Sequence, residues 1–325
     1  MTQLATPPAP ARAHEHDPDQ PPVTAATLAA RIPVPVQLPC RLDGQRLQHL
    51  SASSYRLFVE CPEAWRRPYI AGERSPKNAG MVIGSRVDDA LTDYYRHQLE
   101  HGEQLPAEEV LDRYQQRWSA LLQQDAERDQ IIFDEFDEHT ARQIGAAALT
   151  EAIGQLVPQL GEPVAMQRRI QFPLAPGLQW TILGYLDLET RQPPIDGSDA
   201  EVVVDYKVKG ANALSQIKAD RDPQASLYLA VRWREGRPAT RFTFAQVLRQ
   251  NAKRKTTSTA QTHTERTAGQ HRATLARFAL AASQIVAADE AFGPERPWGF
   301  AEPSHWRCSA KYCAAYGSCA GGSGL

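Results

Sequence analysis

The chain has 325 residues, enough to bury a sizeable core in one large domain or two small ones. Its 42% hydrophobic and 23% charged residues are ordinary for a soluble globular protein. The formal net charge of -2 excludes a global positive field, so any nucleic-acid surface must be local; no apolar run approaches the ~20 residues that cross a bilayer.

Residues 1–46 are rich in Pro and Ala and lack an apolar signal-peptide core, which predicts a disordered tail and a cytoplasmic protein. In a reducing compartment the five cysteines are thiols or metal ligands rather than disulfides. Order is expected from residue 47, in one domain that runs to residue 320. Ser51 to Ser54 offer N-caps for a first helix with Tyr55, Leu57, Phe58 and Cys61 on its apolar face, and Pro62 limits it. A linker covers residues 72–80. Helical spacing then predicts helices over residues 84–99, 108–128 and 137–156, so that about 84–160 is a helical part.

Runs of Val, Ile, Thr and aromatic residues predict strands over 167–172, 179–188, 201–208 and 240–247, within a catalytic core of about 162–250. Pro223 opens a helix through Gln224, Leu227, Tyr228 and Val231. The polar stretch 256–264 reads as an exposed loop, a long helix follows over 266–290, and residues 297–319 carry Trp and Cys with little periodicity. The order implies a mixed sheet with flanking helices, an α/β or α+β architecture.

The chemistry concentrates on Glu201-Val-Val-Val-Asp-Tyr-Lys-Val208. Residues two apart in a strand share a face, so Asp205 and Lys207 point one way while Val202, Val204, Tyr206 and Val208 point the other. The preceding strand ends in Gly184-Tyr-Leu-Asp187, and a hairpin around residues 191–199 would bring Asp187 near Asp205. Two carboxylates suit Mg²⁺ or Mn²⁺, which prefer oxygen ligands. Such an ion acidifies a bound water and neutralises phosphate charge, while a lysine orients the water or stabilises the transition state. An Asp-x-Lys triplet alone is more often a solvated ion pair; its company gives it weight.

With that company the chain resembles the PD-(D/E)xK nuclease superfamily, in its RecB-like branch of CRISPR-associated and phage exonucleases. The resemblance spans about residues 51–319. Ser53-Ser-Tyr-Arg-Leu-Phe-Val-Glu-Cys61-Pro62 is similar to the family's opening helix, Gly184-Tyr-Leu-Asp187 to its first acidic motif, Asp205-Tyr-Lys207 to its acidic-x-Lys motif, and Gln224-Ala-Ser-Leu-Tyr228 to its Gln-xxx-Tyr motif. It implies a restriction-endonuclease-like α/β core with a C-terminal cysteine clamp, and a DNA exonuclease acting on single-stranded ends, with a helicase or CRISPR partner in view. Asp187, Asp205 and the backbone carbonyl of Tyr206 would hold the metal, and Lys207 would be catalytic. Gln224 and Tyr228, four apart on one helical face, would position the lysine and the phosphate. The family's Gly-xxx-His is here Gly84-Ser-Arg-Val-Asp88, so Asp88 stands where the further metal ligand belongs; a carboxylate still suits a hard cation.

Cys308, Cys313 and Cys319 fall in one short segment, and Cys61 is the fourth thiol. Four cysteines suit tetrahedral zinc or a 4Fe-4S cluster, and the family resemblance favours iron–sulfur. Such a centre would clamp the first helix to the chain end, and Cys40 is a bystander. The run Arg249-Gln-Asn-Ala-Lys-Arg-Lys255 is the expected DNA contact, through Arg249, Lys253, Arg254 and Lys255. Two other readings are a catalytically weak DNA-binding or scaffold subunit on the same fold, and a zinc-stabilised interaction protein.

Overall fold

The structure is a computed structural model that describes residues 49–73, 76–129, 131–133, 135–174, 180–192, 200–210, 212–251, 254–310, 312–313 and 315–322. The expected N-terminal tail, Cys40 and Lys253 lie outside the described residues. Strand β1 (His49–Leu50) leads into helix α1 (Ala52–Glu60), whose start is a reciprocal cap: the Ser54 amide donates to Ser51 Oγ at 3.1 Å and the Ser51 amide to Ser54 Oγ at 3.0 Å. Cys61 ends α1 and caps helix α2 (Pro62–Tyr69), its Sγ accepting from the Ala64 amide. Pro62 therefore opens a second helix as well as limiting the first, because a first-position proline gives up only an amide that has no helical partner.

Strands β2 (Lys77–Asn78) and β3 (Ile131–Ile132) form a small parallel pair. Helices α3 (Ala79–His101), α4 (Ala107–Asp129) and α5 (Glu138–Glu151) make the expected helical part. Helix α3 begins inside the expected linker, because Asn78 Oδ1 accepts from the Met81 amide at 2.9 Å and caps it there.

The main sheet has six strands: β1, β4 (Glu162–Pro173), β5 (Thr181–Gln192), β6 (Ala200–Lys209), β7 (Arg241–Leu248) and β8 (Ser258–Thr264). It is mixed. β4, β5 and β6 run antiparallel in turn, β7 lies parallel to β6, and β8 returns antiparallel. The parallel step needs a crossover, supplied by α6 (Gln216–Asp220) and α7 (Pro223–Arg234). Helix α8 (Ala268–Phe292) follows β8.

Strand β8 replaces the loop expected at residues 256–264. Its polar residues hid it, yet they are bonded inward. Gln246 Nε2 donates to Thr262 Oγ1 at 3.0 Å, and Thr264 Oγ1 donates to Asp220 Oδ1 at 2.7 Å. An edge strand can satisfy its side chains by hydrogen bonds where a central strand needs apolar packing.

Helices cover both faces of the sheet, each over its own core. One core gathers Phe58, Trp65, Ile182, Leu186, Val203, Leu227, Phe242, Phe278 and Trp298. The other gathers Val87, Tyr95, Trp118, Leu149, Leu188, Val202, Val204, Tyr206 and Val247. The alternation along β6 follows from this: Val203 faces α7 and α8, while Val202 and Val204 face α3 to α5. The C-terminal segment is tied back to α2. Trp298 stacks on Trp65 at 5.7 Å, its amide donates to Glu63 Oε2 at 2.9 Å, and Arg66 holds both oxygens of that buried carboxylate at 2.8 Å.

Candidate active site

Strand β5 is paired with β4 along one edge, and its other edge is shared by β1 at Thr181 and Ile182 and by β6 from Leu188 to Gln192. Between those partners the edge is open. Leu188 pairs with Val204, so the next positions, Asp187 and Asp205, face each other where β5 and β6 part. The hairpin expected between them is present as an antiparallel ladder, its connection 193–199 lying outside the described residues.

β5 also turns over at this point. Leu186 packs in the α7–α8 core and Leu188, two residues on, in the α3–α5 core, although a regular strand would send both to one face. β4 does the same, with Ile170 in the first core and Met166 against the second. The residue between, Gln167, has φ 44°, a left-handed conformation that costs a residue with a Cβ. Sequence periodicity could not show this rotation.

Asp205 is 1% exposed. Lys207 Nζ lies 2.7 Å from its Oδ1, and Gln224 Nε2 donates to the same oxygen at 2.7 Å. Lys207 Nζ is also 2.7 Å from Oδ2, but outside hydrogen-bond geometry, so that buried oxygen has no hydrogen-bond donor. The expected shared face of Asp205 and Lys207 is thus present, and Tyr206 points into the opposite core.

Asp88 reaches the same place from α3. It lines a small cavity with Gly84, Tyr206 and Lys207. Its carboxyl is pushed up to about 6, by burial first, then by Asp89, with Asp205 adding and Lys207 opposing. Asp187 is likewise held well above the usual carboxylate range, by burial and then by Asp205, with Lys207 opposing and Asp88 adding. Burial alone would lower Lys207, yet Asp205, Asp187 and Asp88 together raise it above its ordinary value. One ammonium is therefore shared among three carboxylates, and a second cation would relieve the remaining repulsion.

Helix α7 docks on this centre through Gln224, Tyr228 and Arg232, each four residues apart. The Tyr228 hydroxyl is pushed up to about 12, by burial first and then by Asp187 and Asp205. A Cβ at Gly184 would lie 3.1 Å from the Tyr228 ring and 3.3 Å from its hydroxyl, so the glycine of Gly184-Tyr-Leu-Asp187 is what lets the ring close on β5. Arg232, 1% exposed, donates to Glu189 Oε1 at 2.5 Å and also binds Glu201, which locks the helix in register. Arg168 holds the far side of Glu189 at 2.6 Å. This network was missed in the sequence, because its charges are spread over three strands and a helix.

The donor set fits a hard divalent cation: three carboxylates, no imidazole, and a buried Asp205 oxygen without a hydrogen-bond donor. Among the described residues no three His, Cys, Asp or Glu side chains form a closed ligand group. Here Lys207 already engages Asp205.

The four cysteines line one small cavity with Phe300 and Tyr316, and all four are free thiols. Cys308 is pushed above its ordinary value by loss of water contact and then by Cys319, Cys313 and Cys61. The expected basic run divides. Arg249 is turned inward at 5% exposure, with Nη2 2.9 Å from Glu135 Oε2 and its guanidinium over the Phe136 ring. It braces the helical part against β7 and is buried, not exposed as expected. Arg254 and Lys255 do line an open cavity beside α5. No helix among the described residues is long and apolar enough to cross a membrane.

No curated protein matches the chain. A solved Eubacterium rectale structure, described as a candidate exonuclease, is similar at 12% identity and a TM-score of 0.47, covering 78% of this chain and 84% of its own. The family model described as the PD-(D/E)XK nuclease superfamily matches residues 49–320, from β1 through the last of the four clustered cysteines, and the chain belongs to that superfamily.

Proposed function

We propose that the protein is a Mg²⁺- or Mn²⁺-dependent deoxyribonuclease that removes nucleotides from DNA ends. The observation that carries this is the meeting of Asp205, Asp187, Asp88 and Lys207 at the open edge of β5, with Gln224 bonded to Asp205. Asp205, Asp187 and Asp88 would hold the cation, helped by the Tyr206 carbonyl. When bound, it acidifies water and neutralises phosphate charge. Lys207 orients the attacking water and offsets charge on the phosphate, Gln224 fixes the Asp205 carboxylate, and Tyr228 stands beside the phosphate. Arg254 and Lys255 add outlying backbone contacts.

The test is digestion of end-labelled single- and double-stranded DNA with each metal. Asp205→Ala and Lys207→Ala are each expected to lose cleavage by about 100-fold or more, as removal of transition-state charge stabilisation does. Parent-rate cleavage by either variant would overturn the assignment. DNA binding without cleavage in the parent would favour a binding subunit on the same fold.

We also propose that Cys61, Cys308, Cys313 and Cys319 hold a 4Fe-4S cluster, with zinc as the alternative. The shared cavity of four thiols drawn from both ends of the chain supports it. Thiolate donors suit either centre. Anaerobically purified protein is expected to carry about four irons and to absorb near 400 nm; one tightly held zinc identifies the alternative, and neither metal refutes both. Because Trp65, Glu63 and Trp298 already tie the chain end to α2, a cysteine variant should weaken that junction without unfolding the sheet.

A further inference from the structure

A cavity of about 290 Å³ opens between α1, α7 and α8. Its walls carry Arg56 from α1, Arg221 just before α7, and Arg277 from α8. The Arg221 and Arg277 residues are exposed, and their side chains make no ion pair or hydrogen bond among the described residues. Arg56 is held loosely, 3.5 Å from Glu60 and 3.9 Å from Asp222. Both acids are already engaged: Arg307 lies 2.5 Å from Glu60, and Asp222 accepts from the Gln224 and Ala225 amides. In a chain of net charge -2, the groove sets three guanidiniums against one lining carboxylate, Glu60, which Arg307 also holds.

Its place in the fold selects the anion. Pro223 and Ser226 of α7 line the groove, while Gln224 of the same turn reaches Asp205. The groove and the carboxylate centre thus share one turn of α7, an arrangement that fits a polymer with a phosphate in each unit. Half-buried Tyr55, backed by the buried Phe278 ring at 4.1 Å, supplies the aromatic wall that single-strand grooves combine with positive charge.

We propose that the groove of Arg56, Arg221 and Arg277 binds the phosphate backbone of single-stranded DNA and leads that strand to the Asp205 centre, an inference that rests on the nuclease reading above. The Arg221 and Arg277 side chains make no bond among the described residues, so replacing them leaves the fold intact.

The experiment is fluorescence anisotropy of the full chain with an oligothymidylate of about 20 nucleotides, longer than one single-strand site, in EDTA so that nothing is cut. The double variant Arg221→Glu/Arg277→Glu is expected to bind at least about tenfold more weakly, and its salt slope to fall by about 1.4, two contacts at 0.7 each. With metal added, its KM on the strand rises while kcat stays at the parent value. The neutral pair Arg221→Gln/Arg277→Gln gives the same direction if the charge reversal fails to fold. Parent affinity and slope in either double variant would overturn the groove, as would an equal loss of duplex binding. A parent that binds the strand through these arginines yet cuts no DNA would support the groove and refute the catalytic reading alone.

Discussion

Gln167 stands across the β4–β5 ladder from Asp187, between the pairs Met166–Leu188 and Arg168–Leu186, and it holds φ at 44°. Both strands change faces there. A left-handed residue with a Cβ persists only where the surroundings impose it, and such residues gather at functional sites. Its place beside Asp187 makes it a positioning residue for the carboxylate pair.

Gln167→Val puts a β-branched side chain at that φ. It should destabilise the protein by about 1–3 kcal/mol and lower kcat by turning Asp187, whereas Gln167→Gly should keep both near the parent. Denaturant unfolding and end-label digestion read the two effects. A valine variant with parent stability and kcat would remove Gln167 from the site.

Gly184→Ala places a methyl 3.1 Å from the Tyr228 ring. Overpacking of this kind costs about 1–3 kcal/mol. Here the ring must move away from Asp187, so activity should fall further than stability alone explains. Pairing it with Tyr228→Phe, which keeps the ring, should not restore activity; pairing it with Tyr228→Leu should restore the melting temperature. An unchanged single variant would show that the ring has room to retreat.

Arg232→Ala leaves Glu189 with Arg168 as its remaining partner. Breaking a buried pair from one side costs about 3–5 kcal/mol. The double change Arg232→Met/Glu189→Leu should recover much of that loss, since both charges are then gone. If the double variant melts no higher than Arg232→Ala, the network contributes more than charge balance.

Asp88 titrates at about 6 in the folded chain against about 3.9 when unfolded. Between those values the metal-free folded state keeps a proton that the unfolded state releases. Stability from this group is therefore lost as pH rises from about 4 to 6. A cation must displace the same proton, so Mg²⁺ affinity should climb through that window. Asp88→Asn should make both curves shallower, leaving the part that Asp187 contributes. Calorimetric titration with Mg²⁺ at several pH values reads the affinity, and parent-like curves in Asp88→Asn would exclude Asp88 from the metal set.

Arg249→Ala should lower stability by about 1–2 kcal/mol, from loss of the desolvated guanidinium contact with the Phe136 ring, while the salt dependence of DNA binding stays put. Lys255→Ala should do the reverse. A changed salt slope in Arg249→Ala would put its guanidinium on phosphate after all.

The alternation of 201–208 was enough to set Asp205 and Lys207 on one wall and Tyr206 on the other, because the two-residue period of a strand is a local property. Helical spacing was enough to align Gln224 with Tyr228, and the apolar stripes located the helices around the sheet. Three features needed the tertiary structure. The turnover at Gln167 and Asp187 depends on two strands rotating together, which neither strand's pattern contains. Strand β8 is bonded to Gln246 and Asp220 through threonines, so its polar sequence resembled a loop. Arg249 looked like part of a DNA-facing basic run, since charge runs are usually solvated, and only Glu135 and Phe136, far away in the chain, turn it inward. Local periodicity can assign a face to a side chain; what waits on that face is decided by contacts between residues distant in sequence.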